Sequence, residues 1–237
     1  MGKLEGKVAA ITASTRSIGR AIAEAYLAEG ANVVISGRSE EKGAKALEEI
    51  NAGDNVTYIA GDASKQSDVE GLIDGTVDHF GKIDIAVLNA GGILNAAPVA
   101  EMTDESWEYT LNLNLNHTFW GMRKALQHML PQEDGRIIAI SSVEGKMRTE
   151  TVSHYVATKH AINGLVKTAA HEVGESGVTV NAILPGFVKT DLFYESAPQT
   201  AEALGMDSLD EVADMYSQGA AIKKPNTVEQ VAAVAVM

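Results

Sequence analysis

Six short runs of β-branched and apolar residues, separated by longer stretches of helical period, constrain this chain more than any other feature of it. In order they are 7–12, 32–36, 56–60, 83–89, 136–140 and 178–184, with helical patterns at 20–28, 40–50 and 69–80 between the first four. A strand covered on both faces has no solvent side and reads as continuously apolar. Helices alternating with such strands predict an all-parallel sheet flanked on both faces. The expected fold class is therefore α/β, a doubly wound parallel sheet. No linker, repeat or low-complexity tract interrupts the 237 residues, so one domain is expected over 1–237. The one long irregular stretch is 190–225. Its apolar members Phe193, Tyr194, Met206, Met215 and Tyr216 are interleaved with acids, which fits a lid beside a site better than a plain helical hairpin.

Charge narrows the partners. A formal net charge of −13 repels a phosphate backbone or an anionic membrane over most of the surface, so neither nucleic acid nor membrane is expected as a partner. The chain has no cysteine, which removes disulfides and thiolate metal sites, and its six histidines show no ligand spacing, so no metal is expected. No apolar run approaches the roughly 18 residues of a membrane span, and the expected location is cytoplasmic.

In a doubly wound sheet, ligands lie beyond the carboxyl ends of the strands. The first strand ends in "TASTRSIGR", a turn of small and hydroxyl residues opening a helix; it reads either as a phosphate site at a helix N-terminus or as a Ser/Thr-rich cap. Glycines usually fill such a turn, but here Ala13 and Ser17 stand in two of the glycine places and only Gly19 remains. The second strand ends in "SGRS", with Gly37 where an acid would bind a free 2′-hydroxyl. Arg38 follows it and, with Arg16, can pair a 2′-phosphate or stay solvated. Asp62 ends the third strand and can accept from an adenine amino group or cap the next helix. Asn89 and Gly91 end the fourth, and Ser141 and Ser142 end the fifth. Tyr155 and Lys159 are one turn apart in a helical stretch, which by itself describes no more than a polar stripe.

Taken together these residues resemble the short-chain dehydrogenase/reductase family over nearly the whole chain. The resemblance is carried by Thr12 to Gly19, "NAG" from Asn89, Asn114 in "LNLNLNHTF", Ser142, "YVATK" from Tyr155, and "PGFVKT" ending at Thr190. It implies a single Rossmann-like domain and a homo-tetramer or homo-dimer acting on a small carbonyl or alcohol. Gly37 without a carboxylate, beside Arg38 and Arg16, favours NADP(H) over NAD(H), and reduction is the expected direction because cells commonly keep the phosphorylated coenzyme reduced. Tyr155 would be the general acid and base, with its pKa lowered by the Lys159 ammonium. Ser142 would stabilise charge on the substrate oxygen, and Asn114 would complete the catalytic set by supporting a water beside Lys159. The coenzyme would be held by Ser14, Arg16, Ser17, Ile18, Gly19, Arg38, Asp62, Ala63, Asn89, Gly91, Tyr155, Lys159, Val188 and Thr190.

The resemblance has limits. Residues that hold a hydroxybutyrate carboxylate in related enzymes fall on Glu144 and Val152, which disfavours that substrate. The family's usual last strand and glycine-rich tail do not follow "VEQVAAVAVM". A 3-oxoacyl thioester reductase of fatty-acid synthesis is the alternative among enzymes. A catalytically idle dinucleotide-binding regulator is the alternative outside them, and the joint presence of Ser142, Tyr155 and Lys159 speaks against it.

Overall fold

The computed structural model describes residues 2–191, 193, 194, 197, 198, 201 and 205–237. The six apolar runs form six strands: β1 (Val8–Ile11), β2 (Asn32–Gly37), β3 (Val56–Ala60), β4 (Ile85–Leu88), β5 (Gly135–Ile140) and β6 (Val178–Ile183). All pair in parallel in the order β3-β2-β1-β4-β5-β6, the Rossmann-like arrangement expected. Every residue of β1 and β4 is buried, which is why these strands read as unbroken apolar runs.

Helices cover both faces. Against one lie α1 (Ser17–Ala28) and α2 (Glu40–Ile50), which bury Ile22, Ala23, Tyr26 and Ala46 on Ala9, Ile11, Val33 and Ile35. Against the other lie α3 (Gln66–Phe80), α5 (His117–Gln132) and α6 (Ser153–Glu172). These bring Leu72, Ile73, Met122, Met129, Ile162 and Val166 onto Ala10, Val34, Ala86 and Ile137. Each fully buried Leu, Ile, Val or Met side chain contributes on the order of 1.5–3 kcal/mol, so both helical layers are firmly held. Before α5 comes α4 (Asp104–Leu111), capped by the Thr103 hydroxyl.

Between α4 and α5 the chain makes one π turn, Asn112–Asn116, that keeps the helix continuous while rotating its face. Near the end lie α7 (Leu209–Ser217) and α8 (Val228–Ala235), the latter closed by a capping box at Thr227 and tied to α1 by Tyr26 Oη donating to the Ala235 carbonyl at 3.0 Å. Of the expected lid, Leu192, Glu195, Ser196, Gln199, Thr200, Glu202, Ala203 and Leu204 lie outside the described residues. Its described part gathers Phe193, Ala197, Ala201 and Val212 into a small separate cluster with Phe187, Met206 and Leu209. Tyr194, Met215 and Tyr216 are exposed.

Candidate active site

The order of the strands reverses between β1 and β4, and the ends of these two strands are bound together by one hydroxyl. Thr12 Oγ1 accepts from the Asn89 and Ala90 amides at 2.8 and 3.1 Å and lies 2.9 Å from His117 Nε2. Burial first, then the charge of Lys159, lowers the His117 pKa to about 3, so the imidazole is neutral. A cleft of about 550 Å³ opens over this point. Arg16, Ser17, Ile18, Gly19, Arg38, Asp62, Ala63, Asn89, Gly91 and Thr190, all expected to hold a coenzyme, line it.

The first turn takes the shape that glycines would favour without having them. Ala13 and Ser17 adopt φ of 50° and 52°, a region that costs a side-chain-bearing residue on the order of 1 kcal/mol. The turn is held by Asn89, whose Nδ2 donates to the Thr12 and Ala13 carbonyls at 3.0 and 3.1 Å. Gly19 cannot be replaced here, because a Cβ on it would sit 2.6 Å from Asn89 Nδ2 and 2.7 Å from the Ala13 carbonyl. One residue is placed away from the cleft, and another lines it with its hydroxyl already bonded. Ser14 does not face the cleft: it is fully buried, donates to the Ile11 carbonyl at 2.7 Å and accepts from the Ser36 amide at 2.9 Å, stitching β1 to β2. Ser17 is engaged with an acid, its Oγ donating to Asp191 Oδ2 at 2.8 Å.

At the end of β2, Arg38 is exposed and forms no ion pair among the described residues. Ser39 and Lys42 line the cleft beside it. Lys42 escaped the sequence reading because it lies inside α2, one turn beyond the motif. Tyr109 in α4 and Leu113 in the π turn also line the cleft, and their place in a helical stretch gave no sign of it. Asp62 lines the cleft and accepts from the Ser64 amide and hydroxyl at 3.0 and 2.8 Å, which closes a turn before α3 without capping the helix. The Val188 segment is fastened to Asn226 through the Phe187 carbonyl and the Lys189 amide, bonds that do not use the peptide groups of Val188 itself.

The π turn aims Asn114 inward, where it is fully buried, while Asn112 and Asn116 bond each other at 2.6 Å. Asn114 Nδ2 donates to the Gly92 and Thr110 carbonyls and its Oδ1 accepts from the Gly92 amide, so it positions the chain beside Gly91. A Cβ on Gly91 would fall 2.9 Å from Asn114 Oδ1 and 3.2 Å from Lys159 Nζ, which places the lysine directly against the cleft wall. Lys159 is only 2% exposed. Its amine donates to the Ile140 carbonyl at 2.8 Å and lies 5.3 Å from the centre of the Tyr155 ring. Ser142 lies near enough to Tyr155 to act on its hydroxyl, and its Oγ accepts from the Glu144 amide at 3.2 Å.

The charge states differ from the sequence expectation. Burial raises the Tyr155 pKa, Ser142 opposes that, and the charge of Glu144 reinforces it; burial also lowers the Lys159 pKa to about 7. Without a ligand, desolvation therefore outweighs the ammonium's pull on the phenol, and Tyr155 stays protonated.

The family model for short chain dehydrogenases matches residues 7–201. A D-beta-hydroxybutyrate dehydrogenase of Rhizobium meliloti is 37% identical over 232 residues, covering 97% of this chain and 90% of that protein. A 3beta-hydroxysteroid dehydrogenase of Eggerthella lenta is 36% identical, covering 80% of this chain and 74% of its own length. Among solved structures, a variant of actinorhodin polyketide ketoreductase with NADPH superposes with a TM-score of 0.90 at 29% identity, over 99% of this chain and 90% of that one.

Proposed function

Because this chain belongs to the short-chain dehydrogenase/reductase family, we propose that it is a cytoplasmic NADP(H)-dependent oxidoreductase interconverting a ketone and a secondary alcohol, a single domain with its lid over 190–225. The observation that supports the reading is the grouping of Tyr155 with Ser142 and Lys159, the lysine amine lying 3.2 Å from where a Cβ on Gly91 of the cleft wall would fall. An idle dinucleotide-binding protein has no use for a buried lysine facing a tyrosine at that place.

The cleft suits a dinucleotide. Gly19 and Gly91 let the cleft wall pack closely on Asn89 and Asn114, and α1 begins without a side-chain cap or an acid in its first turn, leaving amides for a pyrophosphate. Asp62 and Ala63 would flank the adenine, Lys159 would hold the nicotinamide ribose, and Thr190 with the Val188 backbone would orient the carboxamide. When bound, the nicotinamide supplies or accepts the hydride. Tyr155, protonated through burial, gives its proton to the carbonyl oxygen in reduction and retrieves it in oxidation. Ser142 donates to the same oxygen and stabilises its developing charge. Asn114 acts through the Gly91 segment, as a positioning residue.

Tyr155→Phe tests the assignment. It keeps the ring and removes the proton donor, so turnover should fall by about 10²-fold or more while coenzyme affinity changes little. Near-normal turnover would refute the role.

NADP(H) is favoured by the cations at the end of β2. Arg38 can grip a 2′-phosphate through two parallel bonds, Arg16 and Lys42 line the same cleft, and Gly37 presents no carboxylate. A Cβ on Gly37 would lie 3.0 Å from the Thr15 methyl, so the cleaner test leaves Gly37 in place and removes Arg38. Arg38→Leu should lower the NADPH-over-NADH ratio of kcat/KM by about tenfold, the equivalent of one charge-assisted contact. A wild-type preference for NADH would overturn the coenzyme assignment.

A further inference from the structure

Arg38 is the single residue between Gly37, which ends β2, and Ser39, which caps α2. Its side chain is exposed, so what the fold sets in advance is its backbone. One hydroxyl holds that backbone on both sides. Tyr58 Oη, from β3, donates to the Gly37 carbonyl at 2.6 Å, and the Ser39 carbonyl stands as a second acceptor at 3.0 Å. Burial first, then the charge of Glu40, raises the Tyr58 pKa, so the phenol keeps the proton that both carbonyls need.

The sheet does not require this bridge. β2 and β3 are already paired from Val33 with Val56 to Gly37 with Ala60, and the Gly61 amide adds a bond to the Gly37 carbonyl at 2.9 Å. The Tyr58 hydroxyl reaches past the last of these pairs, to a residue of the loop. Its ring is fixed as well, because Gly43 of α2 passes so close that a Cβ there would fall 2.5 Å from Cε1 and Cζ. A phenylalanine would fill the same space; only the hydroxyl reaches Gly37 and Ser39. An arginine on a fixed backbone has less freedom to lose on binding than one whose backbone must also order, and the difference appears as affinity.

We propose that Tyr58 is a positioning residue for coenzyme choice: by bridging the carbonyls of Gly37 and Ser39, it presets the backbone of Arg38 for the 2′-phosphate of NADP(H). The proposal rests on the NADP(H) reading above and deepens it, locating part of the preference on a residue outside the cleft lining. The free 2′-hydroxyl of NAD(H) offers the arginine no charge, so it draws little from the same bridge.

Adenosine 2′,5′-bisphosphate and AMP differ only in the 2′-phosphate, and calorimetric titration of the full-length protein with each reads that group without turnover. Wild type should bind the bisphosphate at least about tenfold more tightly. Tyr58→Phe should shrink that ratio about three- to tenfold, the span of one net hydrogen bond, and change AMP binding by less than about twofold. Gly43→Ala keeps the hydroxyl but drives the ring off the carbonyls, so it should shrink the ratio likewise, and it serves where Tyr58→Phe does not fold. In an Arg38→Leu background, Tyr58→Phe should change the ratio no further, since the arginine through which it acts is gone. A bond that merely stabilised the fold would lower Tm and leave the ratio alone. A folded Tyr58→Phe or Gly43→Ala that keeps the wild-type ratio, or a Tyr58→Phe effect undiminished in the Arg38→Leu background, would overturn the proposal. A wild-type protein that binds both nucleotides equally would overturn the NADP(H) reading and this proposal with it, and is told apart by having no ratio to lose.

Discussion

Lys159 is where the stability of this protein and its proposed chemistry conflict. Burial lowers its pKa from 10.5 to about 7, whereas in the unfolded chain the amine keeps its ordinary affinity for protons. Between about pH 7 and 10.5 the unfolded state therefore binds more protons than the folded one, and by linkage stability rises with pH across that window. Below about pH 7 the folded state carries a buried ammonium and the full cost. Lys159→Met removes the charge and keeps the bulk, so in the absence of coenzyme it should raise Tm below pH 7 by roughly 4 °C or more, equivalent to about 2 kcal/mol. The gain should shrink as pH approaches 10.5, and turnover should be lost. A thermal melt across pH checks this, and a loss of stability below pH 7 would show that the Ile140 bond outweighs the buried charge. The pairing of Tyr155 with Lys159 was legible as a motif, but its charge state was not. Sequence spacing places two side chains on one helix face, and the sign of a pKa shift depends on the shell that closes over them.

At the scale of elements, the strands were the legible part, because parallel strands buried on both faces leave an uninterrupted apolar signature at Val8–Ile11 and Ile85–Leu88. The turn after β1 was half legible. Its place was plain, but the positive φ of Ala13 and Ser17 is accompanied by a bond from Asn89 to the Ala13 carbonyl and one from the Ser17 hydroxyl to Asp191, partners far away in sequence that no local propensity encodes. Ser14 misled for the same reason, as its hydroxyl is consumed between β1 and β2. The stretch from Asp104 onward was legible as helical, but the Leu/Asn alternation of 112–116 gave no hint of the π turn that sets which asparagine turns inward. A prediction follows from the Asp191 contact. The carboxylate lies at the amino end of α1, where it stabilises the helix dipole and opposes an arriving pyrophosphate. Asp191→Asn should lower the Tm of the coenzyme-free protein slightly and tighten coenzyme binding about two- to fivefold, the range of a 0.3–1 kcal/mol dipole interaction. Fluorescence titration with NADPH measures it, and unchanged affinity would mean that Asp191 stays clear of the phosphates.

For the whole molecule, charge and exposed surface pull in opposite directions. Each chain carries −13, which favours separate, soluble chains, and no helix among the described residues is long and apolar enough to cross a membrane. Yet α4 and α5 present Trp107 at 41% and Phe119 at 42% exposure, with the Arg123 guanidinium 4.9 Å from the Phe119 ring centre. These are large exposed rings on α4 and α5, and covering each against a second copy would gain roughly 25 cal/mol per Å² of apolar area. A homo-oligomer, tetramer before dimer, is the expected state. Because every subunit is strongly acidic, the assembly should loosen at low ionic strength and tighten as salt shortens the Debye length to about 8–10 Å. Trp107→Glu adds a charge to that face without touching the core, so it should lower the sedimentation mass while leaving the circular dichroism spectrum intact. A wild-type protein that sediments as one chain at physiological salt would refute the assembly and leave Trp107 and Phe119 as ordinary exposed rings.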